Sequence, residues 1–331
     1  MPAPIQPSIA LLGLARLQAG LVSSAQCNAH GLPNAHRRRL VAAGDWQRPT
    51  RGVFDTGESD PGLHPNDLRR LRSTWLALPA YPGSAAVGAC ALALLGGAGL
   101  PPDIVPEAAF PDGSGREPRD GIVLRQYQRF PRVAAGGRFA AEPAHALAQA
   151  LPTLDREHAV AVMDSLLNKR ILTPTGLRKA RRLIKKRRDG AKTEGWWVLV
   201  DGRSQSPVES AARLRCVDAG IPPDDLQRDL FDDAGRFLGR ADLAWYLGDG
   251  HWLLVELDSD EFHTSAEQVR QDAARQNGLL RDGKHVLLRF FTRHIHEGDE
   301  MTDAIRSVLT REGWAPGRPI PPAPARRSSR R

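Results

Sequence analysis

Residues 240–258, RADLAWYLGDGHWLLVELD, decide how the chain must be read. Leu243-Ala244-Trp245 and Trp252-Leu253-Leu254-Val255 flank Gly248-Asp249-Gly250, and two apolar runs around a Gly-Asp-Gly turn predict a β-hairpin. Asp242 heads the first strand and Glu256 and Asp258 end the second, so the hairpin sets Asp242 across from Glu256. Side chains on a strand repeat every two residues, which puts Glu256 and Asp258 on one face. Three carboxylates at the end of an apolar sheet repel one another unless a cation offsets their charge. Oxygen ligands suit a hard ion, Mg2+ with Mn2+ as a substitute. Such an ion polarises a phosphodiester and lowers the pKa of a bound water. The plainer reading leaves these groups as strand-end carboxylates, solvated or paired with Arg240, Arg270 and Arg275.

Outward from the hairpin, helix and strand alternate over residues 196–312. Ser206-Pro207-Val208-Glu209 has the chemistry of a helix start, a serine cap followed by proline at the first helical position. Strands are expected over 226–231, 239–246, 252–258 and 285–290, with a helix over 265–280 between the last two. That pattern is a mixed sheet with helices packed on it. Gln227 lies on the first strand, and His263 comes shortly after the acidic cluster. Arg270, Asp272 and Arg275 fall on the expected helix.

The other end of the chain reads differently. Ile9, Leu11, Leu12, Leu14 and Leu17 give one apolar helical face stopped by Gly20. A second short helix is expected over 25–30, capped by Ser23 or Ser24, and a third from Pro33 or Asn34 to the stop at Gly44. Residues 46–54 then form two short strands. Helix, helix, basic helix, hairpin is the order of a winged helix-turn-helix, whose third helix enters the major groove while the wing tracks the backbone. Asn34, His36, Arg37, Arg38 and Arg39 lie on that third helix, and Arg48 and Arg51 on the wing, as candidate DNA contacts. Arg and Asn read base edges as well as phosphates.

Between these ends, residues 56–150 suggest an α/β extension, with helices over 66–78 and from a cap near Ser84, and an extended segment over 121–130. Residues 151–195 form a helical linker that carries Arg178, Lys179, Arg181, Arg182, Lys185, Lys186, Arg187 and Arg188. This run holds either a second stretch of phosphates or a solvated helix face. Residues 313–331, rich in Pro and Arg, read as a disordered basic tail.

Composition narrows the classes. At 331 residues the chain has room for about two domains at roughly 150 residues each. Lys+Arg 46 against Asp+Glu 38 leaves a net charge of +8, which favours a polyanionic partner such as double-stranded DNA. Cys27, Cys90 and Cys216 are too scattered for a disulfide framework or a four-cysteine zinc site and suit a reducing cytoplasm. The uncharged stretch 76–102 contains Pro79, Pro82, Pro101 and Pro102 and is mostly alanine between them, so a buried helix is expected rather than a membrane span. No Gly-rich phosphate loop, Gly-x-Ser-x-Gly or His-Glu-x-x-His occurs.

Taken together, Ser206-Pro207-Val208-Glu209, Gly220-Ile221-Pro222, Gln227, Arg240 to Trp245, Val255 to Asp258, Phe262-His263, Asp272 to Arg275 and Val286 to Phe290 resemble the Vsr-like branch of the PD-(D/E)XK nucleases. Residues 1–55, with Gly20-Leu21-Val22-Ser23 through Gly52-Val53-Phe54, resemble the winged-helix domain of AbiEi-like antitoxins. The first resemblance implies a restriction-endonuclease-like α/β/α domain over 196–312. There Asp242, Glu256 and Glu209 would hold Mg2+, with Asp258 or His263 orienting or deprotonating water and Arg275 and Arg289 offsetting phosphate charge. The second implies a DNA-binding regulator and a possible cognate toxin or other regulatory partner. Asp258 stands where the superfamily has lysine, and Ser259-Asp260-Glu261 where relatives have glycine after that acid. The chain is thus expected to be a Mg2+-dependent DNA endonuclease, or a non-enzymatic antitoxin-like regulator that keeps a degenerate nuclease domain.

Overall fold

The computed structural model describes residues 6–127, 129–185, 187–231, 236–258 and 285–321. It is a mixed α/β protein with three sheets among the described residues, divided into two compact units, residues 1–198 and 199–331.

The first unit begins with α1 (Ile9–Leu17), started by the Ser8 hydroxyl, which accepts from Leu11 N–H at 3.2 Å. The helix stops before Gly20, at φ +89°, where an added Cβ would meet the Glu58 carbonyl oxygen at 2.6 Å. Strand β1 (Leu21–Ser23) comes next and leads into α2 (Ser24–Ala29) through a capping box between Ser23 and Gln26. Three residues are too few to show a period, which is why β1 is not legible in the sequence. Helix α3 (Asn34–Ala43) ends at Gly44 in the left-handed region. Strands β2 (Gln47–Thr50) and β3 (Val53–Asp55) form the hairpin, and β1 pairs with β3 to give the sheet order β1-β3-β2. Leu11, Ala15, Val22, Cys27, Leu32, Trp46 and Phe54 make the core beneath.

The chain continues through α4 (Pro65–Ala80), β4 (Ala85–Ala86), α5 (Gly88–Leu94), β5 (Glu107–Ala109), β6 (Val123–Leu124), β7 (Arg132–Ala135) and β8 (Arg138–Ala141). These five strands order as β6-β5-β4-β8-β7. The cap expected near Ser84 is corrected: β4 intervenes, and α5 starts after Val87 with no side-chain cap. The buried start is satisfied from a distance instead: Gly88 N–H donates to Gln149 Oε1 at 3.0 Å and Ala89 N–H to Glu107 Oε1 at 3.2 Å. Among the described residues of the expected extended segment over 121–130, only the two-residue β6 is a strand. Leu21 and Val53 pack with Trp75, Tyr81, Phe110 and Ile122, so residues 1–55 share a core with α4 and the five-stranded sheet. Helices α6 (Pro143–Ala150), α7 (Arg156–Asn168) and α8 (Pro174–Ile184) complete the unit with a 3-10 segment, Gly190–Leu199, at its end. Among the described residues no helix is long and apolar enough to cross a membrane.

In the second unit α9 (Pro207–Asp218) opens with the Ser206 hydroxyl accepting from Glu209 N–H at 3.2 Å. Strands β9 (Asp225–Phe231), β10 (Phe237–Gly248), β11 (His251–Asp258) and β12 (His285–Phe291) order as β12-β11-β10-β9, with only β11 and β12 parallel. Helices α10 (Thr292–His296) and α11 (Glu300–Arg311) come last. One face of the sheet buries Leu226, Leu243, Trp245, Leu253 and Val255 against α9 and α11 residues such as Ala212, Ile305 and Leu309. Full burial of a large apolar side chain contributes on the order of 3 kcal/mol, and the Trp245 indole N–H is satisfied by the Ile221 carbonyl at 3.1 Å. The other face gathers Leu230, Ala241, Ala244, Trp252 and Leu254. The helix expected over 265–280 and the part of the expected tail beyond 321 lie outside the described residues, whereas the start of that tail is ordered: Trp314 Nε1 donates to Asp224 Oδ2 at 2.8 Å and its ring packs on the core.

Candidate functional site

Four neighbouring strands and the start of one helix build the site. On the β10–β11 hairpin Leu243 pairs with Val255, and Asp242 and Glu256 come one step further along it. Asp242 Oδ2 accepts from the Leu257 N–H at 2.9 Å, so the aspartate closes the end of the ladder. Its Oδ1 accepts from Gln227 Nε2 at 2.8 Å, and the same nitrogen donates to Glu209 Oε2 at 2.9 Å. Glu209 Oε2 also accepts from the Gln205 N–H at 2.8 Å. One carboxamide thus ties the α9 glutamate to the β10 aspartate.

Gln227 itself is unusual. Its φ is +54°, a left-handed conformation inside a strand. Leu226 and Leu243 pack into one core, whereas Leu230 and Ala241, of the same parity, pack into the other. The alternation of the sheet therefore reverses at Gln227 and Asp242, and this reversal is the local reason that polar side chains stand where an apolar stripe would continue.

Electrostatics mark the same place. Burial pushes the Glu209 carboxyl above its ordinary value, the Gln205 N–H opposes the push, and the Asp242 charge adds to it. Glu256 is buried, with Arg289 Nε 3.7 Å away. Arg289 also forks Asp258, Nε to Oδ2 at 2.9 Å and Nη2 to Oδ1 at 3.1 Å. Both oxygens of Asp258, one of the two residues expected to act on water, are engaged by that guanidinium. His263 and Arg275 lie outside the described residues.

Is this donor set one that a divalent cation accepts? Among the described residues no three His, Cys, Asp or Glu side chains gather closely enough to hold an ion. Mg2+, however, keeps several waters and commonly takes one or two carboxylates rather than a full protein cage. Glu209 Oε2 and Asp242 Oδ1, which converge on the Gln227 amide, meet that requirement in number and in hardness.

The candidate DNA contacts separate into two groups. Asn34, Arg38, Arg39, Arg48 and Arg51 are exposed, and His36 is half-buried. Arg37 requires correction: it is only 4% exposed. Its Nη1 donates to Asn28 Oδ1 at 2.5 Å, the Leu32 carbonyl at 2.8 Å and the Ser24 carbonyl at 3.3 Å. Its guanidinium lies 5.5 Å from the Phe54 ring centroid. Arg37 shares a helical face with Leu40 and Val41, three and four residues on, and that face turns to the core. It ties α3 to α2 and is not available to a ligand. The three cysteines are buried, which pushes Cys27 up to about 11 and Cys90 and Cys216 up to about 12 and leaves them inert.

Gln227 and the Leu257 N–H had no role assigned from the sequence. A positive φ at a non-glycine strand residue leaves no compositional trace. The reversal of alternation around residues 226–230 is a faint signal, visible only once the paired strand is known.

No family model matches the chain. Two curated proteins of Mycobacterium tuberculosis do: uncharacterized protein MT2308 of strain CDC 1551 / Oshkosh and uncharacterized protein Rv2248 of strain ATCC 25618 / H37Rv. Each is 29% identical over 160 residues, covering 48% of this chain and 57% of the relative. The chain spans little more than half the length of the curated relatives it matches.

Proposed function

We propose that this is a DNA-binding protein whose second unit is a Mg2+-dependent DNA endonuclease similar to the Vsr-like PD-(D/E)XK enzymes, with a winged helix similar to that of AbiEi-like antitoxins in the first. The observation that carries the reading is the hairpin β10–β11, which brings Asp242 to Glu256 beside a parallel β12, while Gln227 joins Asp242 to Glu209. Glu209, Asp242 and Glu256 would hold Mg2+, which when bound supplies Lewis acidity for phosphodiester hydrolysis. The chain's own part is to bury and orient these carboxylates and, through Arg289, to hold Asp258 at the end of β11. For the first unit, the order α1-β1-α2-α3-β2-β3 with sheet β1-β3-β2 supports a winged helix. Arg38 and Arg39 with Asn34 then face the groove, and Arg48 and Arg51 the backbone.

A specific observation favours a second reading, the antitoxin-like regulator with a degenerate nuclease domain. Glu209, Asp242, Glu256 and Asp258 each already have a protein donor or cation, Gln227 or Arg289. A carboxylate set satisfied in this way holds together without an ion.

A plasmid-nicking assay in Mg2+ and Mn2+, run on wild type and Asp242→Asn beside a duplex-binding assay, separates the two. Metal-dependent nicking lost in Asp242→Asn with binding retained supports the endonuclease. Duplex binding by both proteins without nicking in either metal supports the regulator.

A further inference from the structure

Helix α8 carries more charge than its stability explains. Ala180 and Ile184 are buried and Leu177 partly so, and this face packs on α6. The opposite side bears Arg178, Arg182 and Lys185, spaced i, i+4 and i+7, all exposed. Among the described residues Lys179 bonds Glu142 at 2.8 Å and Arg181 pairs with Glu194, whose charge also acts on Lys185, and Arg178 Nη2 donates only to the Thr175 hydroxyl at 2.8 Å, so no stripe cation has a carboxylate bonded to it. No carboxylate occurs from Arg178 to Arg188. Cations near a helix C-terminus gain from its dipole, but Arg178 lies near the N-terminus, where the first turn has no acidic residue. Beyond the helix, Arg187 stacks 5.0 Å from the Tyr127 ring centroid. Tyr127 lines an open depression of about 660 Å3 with Gln126, Asp112 and exposed Arg129. The Asp112 carboxylate there is bonded to Ser114 N–H and Oγ at 3.0 and 2.7 Å.

We propose that the Arg178–Arg182–Lys185 stripe of α8 is a second DNA-backbone contact, separate from the winged-helix residues. The inference rests on the DNA-binding reading above and extends it to a surface that reading does not use. Seven residues of helix rise about 10 Å, a length over which three long cationic side chains can reach successive phosphates of one strand. The stripe is a row of cations with no acceptor side chain or aromatic among its members. It therefore matches a phosphate row without reading bases. Its contribution is affinity and register rather than sequence choice.

The test is the salt dependence of duplex binding by the full chain, measured by fluorescence anisotropy on a duplex of about three helical turns for wild type and for Arg178→Ala/Arg182→Ala/Lys185→Ala. Alanine retains helix propensity, the three positions are exposed, and circular dichroism checks that the variant is folded. Each phosphate contact contributes about 0.9 to the slope of log K against log salt, so the variant should lose about 2.7 from that slope. It should also bind about tenfold or more weakly at about 0.1 M salt. A slope equal to wild type overturns the second contact and leaves the winged-helix reading intact. Failure of wild type to bind any duplex overturns both.

Discussion

Replacing Arg37 by methionine separates a structural arginine from its two neighbours in sequence. Nη1 carries two protons and faces three acceptors, so it makes about two full hydrogen bonds. Bonds from a charged donor contribute about 1.5–3 kcal/mol each. Against this, Arg37 Nε is buried without a partner, which offsets part of the gain. Methionine keeps the apolar stem and contact with Phe54 but leaves the Leu32 carbonyl without this donor. The net loss should be about 2–3 kcal/mol, which makes local opening of residues 9–55 about a hundredfold more frequent. Arg38→Ala and Arg39→Ala, at exposed positions, should each change stability by less than about 0.5 kcal/mol. Native-state hydrogen exchange read by mass spectrometry on peptides from this segment measures all three. Below the melting temperature, duplex affinity should fall in the Arg38 and Arg39 variants and hold in Arg37→Met. Wild-type exchange rates in Arg37→Met, or a loss of affinity confined to it, would refute the inward assignment.

Other outcomes concern the second unit and one glycine. The folded state binds the Glu209 proton more tightly than the unfolded chain, whose ordinary value is 4.5. Stability from this group is therefore full below that pH and is lost as pH rises through the raised value. Glu209→Gln keeps an acceptor for Gln205 and Gln227 and removes the charge facing Asp242. In EDTA it should raise the unfolding midpoint of residues 199–331 at about pH 8 and change nothing at about pH 4. A lower midpoint on the alkaline side would contradict the burial argument. Arg289→Met removes the cation beside buried Glu256 and should cost about 2 kcal/mol in urea unfolding, less than a fully buried pair because Arg289 is 31% exposed. Adding Glu256→Gln should recover part of that cost, and a double variant no more stable than the single would count against the coupling. Gly99→Ala places a Cβ 2.7 Å from the Ala161 backbone carbon at φ +91°. It should cost about 3 kcal/mol or more, and a wild-type urea midpoint would rule out that close approach.

Local pattern determines a good deal here without tertiary structure. Apolar runs and turn chemistry mark the strands of the second unit, because a short run bounded by turn residues and a Gly-Asp-Gly turn are local properties. The same reasoning puts Asp242 near Glu256, since a hairpin needs only its own turn to set its register. Helix starts at Ser23 and Ser206 are legible for the same reason: a cap bonds to a backbone N–H three residues away. What only the folded chain decides is which side chains face which neighbours across long sequence separations. Arg37 reads as one of three equivalent arginines until the α2 carbonyls and Phe54 are placed around it, although its spacing from Leu40 and Val41 already hints at an inward face. Glu209 and Asp242, 33 positions apart in the numbering, meet through a glutamine whose left-handed backbone no composition announces. Strand β1 and the order β6-β5-β4-β8-β7 likewise depend on pairing between distant short segments. Two- and three-residue strands carry no period of their own, and it is burial in the shared core that selects their partners.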